Sequence, residues 1–206
     1  MLKIWGRSNS INVQKVMWVV GELGLRHERI DVGGEYGGLD TAAYGSMNPN
    51  RRIPTIDDDG FVLWESNAIV RYLAAKHSHG ELWPAVLSER AIAEQWMDWQ
   101  QTTLLPDMRT VFWGLVRTAP EKRDPSRIDA AARNLESIWE RLDRHLAGRA
   151  FVAGDRLTMG DIPVGAMCHR YHALDVQRRP VESLSAWYGR LRERPAFRAH
   201  VMIPLS

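Results

Sequence analysis

Two short segments carry residues whose types and spacing point to chemistry. The first, Asn48-Pro49-Asn50-Arg51-Arg52-Ile53-Pro54-Thr55-Ile56, sets a β-branched residue before a proline and an apolar strand behind it. A residue before proline is driven to extended backbone, and an X-Pro turn of this kind is where a cis bond occurs, so the Ile53 backbone is free to pair with an extended ligand. The second segment, Trp64-Glu65-Ser66-Asn67-Ala68-Ile69, reads as a strand giving way to a helix. There the Ser66 amide and hydroxyl, at the positive end of the helix dipole, suit a carboxylate, and Glu65 suits a neighbouring ammonium. A free α-amino acid end beside an extended peptide backbone describes the γ-glutamyl and cysteinyl parts of glutathione. Taken singly, Ile53-Pro54 also fits an ordinary turn and Glu65-Ser66 an ordinary helix cap.

The elements that must position these residues follow from periodicity. Leu2 to Trp5 reads as a short strand, and Val13, Val16, Met17, Val20 and Leu23 recur at helical spacing up to Gly24, a C-terminal cap. Arg26 to Val32 is a second strand, and Gly33 to Gly38 a loop without the Gly-Lys-Ser/Thr of a phosphate loop. Thr55 to Asp57 and Phe61 to Leu63 flank Asp58-Asp59-Gly60 as a β-hairpin, and Ala68, Ile69, Tyr72 and Leu73 form a helix face. The order βαβ, an irregular segment, then ββα predicts a thioredoxin-like α+β domain over residues 1–80, with residues 81–88, around Glu81-Leu82-Trp83-Pro84, as linker.

Residues 89–206 then read as all-helical. A long helix from about Ser88 carries Ile92, Trp96 and Trp99 and bends near Pro106, and Asp124-Pro125 opens a helix buried through Ile128, Ala131, Leu135, Ile138 and Leu142. Thr158-Met159-Gly160-Asp161 reads as a capping box with Asp in place of Glu, stapled by Leu157 and Ile162. Leu184, Trp187, Tyr188 and Leu191 make a further helix that stops at Arg194-Pro195.

The run Asn-Pro-x-x-x-Ile-Pro, a hairpin, then Glu-Ser-x-Ala-Ile-x-x-Tyr-Leu, unbroken from Asn48 to Leu73, resembles the cytosolic glutathione S-transferase family, with a bacterial theta-like, serine-type member as the nearest pattern. The resemblance covers the whole chain, by motif in the first half and by layout in the second. It implies a thioredoxin-like domain followed by an all-α domain, glutathione as co-substrate, a small electrophile as partner and a homodimer. It carries Arg52, Ile53 and Pro54 onto the cysteinyl-glycine end and Glu65 with Ser66 onto the γ-glutamyl end. Where several relatives hold a basic residue for the glycine carboxylate, this chain has Leu39, which leaves that duty to Arg51 or Arg52; a solvated surface charge is the plainer reading of Arg52.

Transfer of glutathione needs its thiolate, yet a thiol of pKa about 8.5 is only ~3% ionised at pH 7. Lowering that pKa by about two units, worth ~2.7 kcal/mol, makes roughly three quarters of it thiolate, within reach of one aimed hydrogen bond plus a helix N-terminus. Arg7-Ser8-Asn9-Ser10-Ile11-Asn12 opens the first helix, and the resemblance places the activating serine at Ser10, with Ser8 and Asn12 in reserve. Each also fits a helix N-cap. The loop holds neither the Tyr nor the Cys that other classes use, and Ser8-Asn9-Ser10 lacks the Ser-Ser-Cys of zeta-like isomerases. The acceptor is expected between the domains, near Met108, Phe112 and Trp113, with core packing as the competing reading of Trp113 and with Arg109 and Arg117 favouring an anionic or polarised acceptor.

Bulk properties bound the alternatives. A net charge of +2 on 206 residues, with the basic residues spread along the chain, gives no electrostatic case for nucleic acid or a membrane surface. No apolar run reaches the roughly 18 residues of a span, and Met1 to Gly6 has no signal-peptide layout, so a cytoplasmic location is expected. The single cysteine, Cys168, excludes an intrachain disulfide and a cysteine zinc site; His169-x-x-His172 has no third ligand at metal spacing, and no metal is expected. Two other functions stay open on the same fold: a glutathione-dependent isomerase or dehalogenase, and a non-catalytic protein-binding module, against which an intact Glu65-Ser66 and a polar first loop argue.

Overall fold

The computed structural model describes residues 1–205. Strand β1 (Leu2–Trp5) leads through helix α1 (Ile11–Glu22) to β2 (His27–Ile30); a short helix α2 (Ala42–Met47) precedes β3 (Thr55–Asp58), β4 (Phe61–Trp64) and α3 (Ser66–His77). The strands form one sheet in the order β2-β1-β3-β4, with β1 parallel to β2 and the other pairs antiparallel. This is the thioredoxin-like domain expected. The hairpin register, Asp58 opposite Phe61, is set by Asp59 and Gly60, whose φ of 52° and 94° are the paired left-handed values of a tight two-residue turn. Helix α1 ends as its sequence predicts, Gly24 taking φ 60° while the Leu25 amide donates back to the Val20 carbonyl. Strand β2 is shorter than the strand expected over residues 26–32, and α2 falls where an irregular segment was expected. Six residues with a glycine inside show no usable periodicity; the Thr41 hydroxyl caps the helix by accepting from the Tyr44 amide at 3.2 Å.

The rest of the described chain is helical: α4 (Leu87–Trp99), α5 (Leu105–Phe112), α6 (Pro125–Leu146), α7 (Asp161–Ala173), α8 (Glu182–Glu193) and α9 (Pro195–His200). The bend expected near Pro106 is a π-helical turn over Gln100–Leu104, in which the Leu105 amide donates to the Gln100 carbonyl. Helix α6 opens on Asp124, whose carboxylate accepts from the Arg127 amide, and buries Ile128, Ala131, Leu135, Ile138 and Leu142 as its spacing dictates. Helix α9 was not foreseen beyond the stop at Arg194-Pro195; proline at its first position starts it at once.

The Thr158/Asp161 pair departs from a simple capping box. The Asp161 carboxylate is fully buried and accepts from the Thr158 amide (2.9 Å) and hydroxyl (3.2 Å), the Val152 amide (3.0 Å) and the Trp187 indole (2.9 Å). The carboxylate thus keeps the reach back to Thr158 that a capping box requires and adds donors from two other segments. Burial still pushes its carboxyl up to about 6, against the pull of those hydrogen bonds.

The two halves meet on α1. Every residue from Val13 to Val20 is buried, because α1 packs against α3 of the first half and against α7 and α9 of the second. Trp18 lies edge-on to Phe197 at 4.7 Å, and Glu22 takes a two-pronged hydrogen bond from Arg194. Gly165 makes this docking possible: a Cβ there would sit 2.6 Å from Leu191 Cδ1 and 3.0 Å from the Trp18 ring.

Candidate active site

The loop after β1 is pinned close to the two segments singled out from the sequence. The Gly6 amide donates to Ile30 O and the Arg7 amide to Val32 O, continuing the β1–β2 ladder. A Cβ on Gly6 would lie 2.4 Å from Val13 Cγ2 and 3.3 Å from Ile53 Cβ, so only glycine lets the loop pass between α1 and the Ile53-Pro54 turn. That turn contains the one cis peptide bond found, Ile53-Pro54. It is tied from behind: the Tyr44 hydroxyl donates to Arg52 O at 2.7 Å, and the Asn48 amide donates to the same carbonyl at 2.8 Å and to Thr55 Oγ1 at 3.0 Å. Asn48 is thus a structural member of the motif and leaves Ile53 presented by its backbone.

Across the cleft, Glu65 holds φ 72° and ψ 112°, a left-handed conformation that a non-glycine residue adopts only when the surroundings enforce it, at about 1–3 kcal/mol. The strain turns β4 abruptly into α3. Glu65 is thereby exposed, and Ser66 starts the helix from a buried position. The Ser66 hydroxyl donates to Asn12 Oδ1 at 3.3 Å, so the start of α1 and the start of α3 touch.

The three first-loop candidates separate in space. Ser10 is the N-cap residue of α1 by backbone, its carbonyl accepting from the Gln14 amide, but its hydroxyl makes no capping bond. Asn12 is engaged with Ser66. Ser8 instead lines a groove of about 470 Å³ with Met17, His27, His200 and Pro204, apart from the Ile53 and Ser66 segments. On the glycine side, the Arg51 guanidinium donates to Leu39 O (3.0 Å) and Thr41 O (3.1 Å), whereas the Arg52 side chain is exposed.

Comparison with known proteins follows this geometry. A profile of the glutathione S-transferase N-terminal domain matches residues 9–76, and one of the C-terminal domain matches residues 125–201. Over 208 aligned residues the chain is 42% identical to glutathione S-transferase GstB of Escherichia coli (strain K12), with both chains covered in full. The chain belongs to the glutathione S-transferase family. It is also 32% identical to glutathione S-transferase 3 of Zea mays, over 99% of this chain and 95% of that one. Among solved structures, the glutathione-bound theta class enzyme of Xanthomonas axonopodis pv. citri superposes with a TM-score of 0.95 at 44% identity, covering 100% of this chain and 99% of that one.

In this glutathione S-transferase the residues expected at the acceptor side scatter. Phe112 is 5% exposed and lies under two guanidinium groups, Arg170 at 4.2 Å and Arg117 at 5.8 Å from its ring centroid. Met108 is buried in the core. Trp113 is 55% exposed, with the Arg109 guanidinium 5.7 Å from its ring centroid, and lines an outer groove with Arg109, Thr118 and Arg127. Among the described residues no group of three or more His, Cys, Asp or Glu could hold a metal ion. His169 hydrogen-bonds the Tyr188 hydroxyl at 2.8 Å and His172 stacks on the same ring, while burial pushes the Cys168 thiol up.

Sequence reasoning passed over Lys15. The side chain is 2% exposed, and its ammonium donates to Asn67 Oδ1 (3.3 Å) and Gln100 Oε1 (3.0 Å), linking α1, α3 and the π-helical turn directly behind Glu65-Ser66. A lysine inside the apolar run Val13 to Val20 was the available signal. Burial, then the charge of Arg170, pushes it down to about 7, and Glu65 opposes the shift. The unfolded chain holds that proton until about pH 10.4, so between the two values the unfolded state binds more protons and stability rises with pH. Chemical denaturation of wild type and Lys15→Met should therefore diverge in favour of wild type by up to about 1.4 kcal/mol per pH unit above neutrality, ending near pH 10.4. Parallel curves would show that Lys15 keeps its proton in the native state.

Proposed function

We propose that this transferase holds glutathione with its γ-glutamyl end at Glu65 and Ser66, its cysteinyl backbone along Ile53-Pro54 and its sulfur at Ser10, whose hydroxyl donates a hydrogen bond to the thiolate. The observation that carries the reading is the state of Ser10: it occupies the N-cap of α1, and its hydroxyl oxygen is not held by a capping bond, so the side chain can turn its O–H toward a thiolate where the helix dipole already favours an anion. Asn12, bonded to Ser66, supports the γ-glutamyl end rather than the sulfur, and Ser8 faces the wrong groove. Arg51 is occupied by loop carbonyls, which leaves the exposed Arg52 for the glycine carboxylate. The thiolate then attacks a small electrophile by displacement or addition. We assign the glutathione-binding domain to residues 1–80, the linker to 81–88 and the helical domain to 89–206, consistent with α3 ending at His77 and α4 beginning at Leu87. Among the described residues no helix is long and apolar enough to cross a membrane, which fits a cytoplasmic enzyme acting on diffusible electrophiles.

Titration calorimetry and thiolate absorbance against pH together test the site. Ser66→Ala should weaken glutathione binding by roughly tenfold to a hundredfold, the loss of a hydrogen bond to a charged group. Ser10→Ala should bind glutathione nearly as wild type does, but with the bound thiol returned toward about 8.5 and turnover near neutrality reduced roughly tenfold to a hundredfold. A thiol titration that moves only in Ser8→Ala or Asn12→Ala would transfer the role to that residue.

We also propose a homodimer. Phe61 and Val62 on the edge strand β4, with Val86 and, on α4, Leu87 and Ile92, leave apolar side chains exposed that a second copy would cover. Light scattering should give twice the 23.5 kDa chain mass. A stable monomer at micromolar concentration would contradict it.

A further inference from the structure

Three arginines from separate elements gather around the first loop on the side of the helical domain. Arg170 of α7 is 9% exposed; its guanidinium stands over Phe112 and its Nη2 reaches the Asn9 carbonyl at 3.5 Å. Arg117 approaches the same ring from the π-helical turn after α5. Arg7 hydrogen-bonds the Asn9 side chain and packs so tightly on Gly34 that a Cβ there would lie 2.9 Å from its Nε. The Nε atoms of Arg7 and Arg170 are buried and have no hydrogen-bond partner among the described residues. None of the three forms an ion pair with a carboxylate among those residues. Burial, then Arg117 and Arg7, pushes Arg170 down to about 10, with no acid opposing; Glu35 offsets part of the field on Arg7 alone. A buried guanidinium without a counter-charge is costly, and like charges beside it add to the cost. An anion seated among them removes both penalties.

We propose that Arg7, Arg117 and Arg170, over the Phe112 face, form an acceptor subsite for the carboxylate of an anionic electrophile. Through Arg7 and the Asn9 carbonyl the patch borders the first loop one residue before Ser10, and the substrate assigned to it is the second one, not the γ-glutamyl carboxylate of glutathione. The inference rests on the glutathione-transfer reading above, since the electrophile must meet a sulfur held at Ser10. In the reaction the thiolate forms a C–S bond at the carbon bearing the leaving group, the carbon–halogen bond breaks, and halide departs with the bonding pair. The substrate carboxylate is unchanged and serves only as the handle that guanidinium groups grip, by charge-assisted and bidentate hydrogen bonds.

A matched pair of probes tests this: 4-chloro-3-nitrobenzoate and its neutral isostere 4-chloro-3-nitrobenzamide, each scored as kcat/KM divided by its uncatalysed rate constant with glutathione. The enhancement should be at least about tenfold larger for the benzoate, the scale of one charge-assisted contact. Arg117→Gln, at an exposed side chain, should abolish most of that preference, while Arg109→Gln, in the outer groove, should keep it. Equal enhancements in wild type, turnover of neither probe by protein that binds glutathione, or an Arg117→Gln variant slowed equally on both probes would overturn the proposal; the last would assign the arginines to the thiolate. Calorimetry with glutathione alone, run on the same wild-type preparation, separates the two levels: absence of binding there defeats the transfer reading itself.

Discussion

Helix α1 is buried on both sides, and the rest of the molecule is arranged around that constraint. Its residues Val13 to Val20 fill the space between α3 and α7 with α9, so the helix cannot shift without opening contacts in both halves of the chain. Fully burying one large apolar side chain is worth about 1.5–3 kcal/mol, and this stretch contributes Val13, Val16, Met17, Trp18, Val19 and Val20 together. The consequence for chemistry is positional. With its body fixed, α1 presents its N-terminus at the seam of the two domains, facing the Ile53-Pro54 turn through Gly6 and the start of α3 through Asn12 and Ser66. The proposed site for a three-part peptide would draw on these three segments, the start of α1, the Ile53-Pro54 turn and the start of α3.

The helix dipole and the arginines around Phe112 favour negative charge near the first loop, and Glu35 opposes part of that field at Arg7. In the proposed reading such a field lowers the free energy of a thiolate and leaves room for a second anion on the acceptor side. The π-helical turn places Gln100 against Lys15.

Much of this was legible in the sequence because the relevant signals are local. Asp59-Gly60 dictates its turn, the apolar spacing of α6 dictates its buried face, and Ile-Pro followed by Glu-Ser marks a turn and a helix start. What escaped depends on contacts far apart in the chain. Helix α2 is too short to show a period. Trp113 has the spacing of a core residue but is turned outward where α5 passes into a second π-helical turn, taking Arg109 to the outer groove with it. Lys15 and Arg170 lie in helices whose buried faces are read from apolar residues, so their burial becomes visible only when Asn67, Gln100 and Phe112 are brought to them. Leu39 told only that a basic residue was missing; that Arg51 is consumed by the loop carbonyls at Leu39 and Thr41 required the fold.

The central claim is that the N-terminus of α1 receives the sulfur of glutathione, with Ser10 as the donor. A crystal structure of the enzyme with glutathione bound tests it most directly. The account predicts the sulfur within hydrogen-bonding distance of the Ser10 hydroxyl, the cysteinyl backbone paired with Ile53 and the γ-glutamyl carboxylate on Ser66. A sulfur bonded to Ser8 or Asn12, or a tripeptide lying elsewhere than between Ile53 and Ser66, would contradict it.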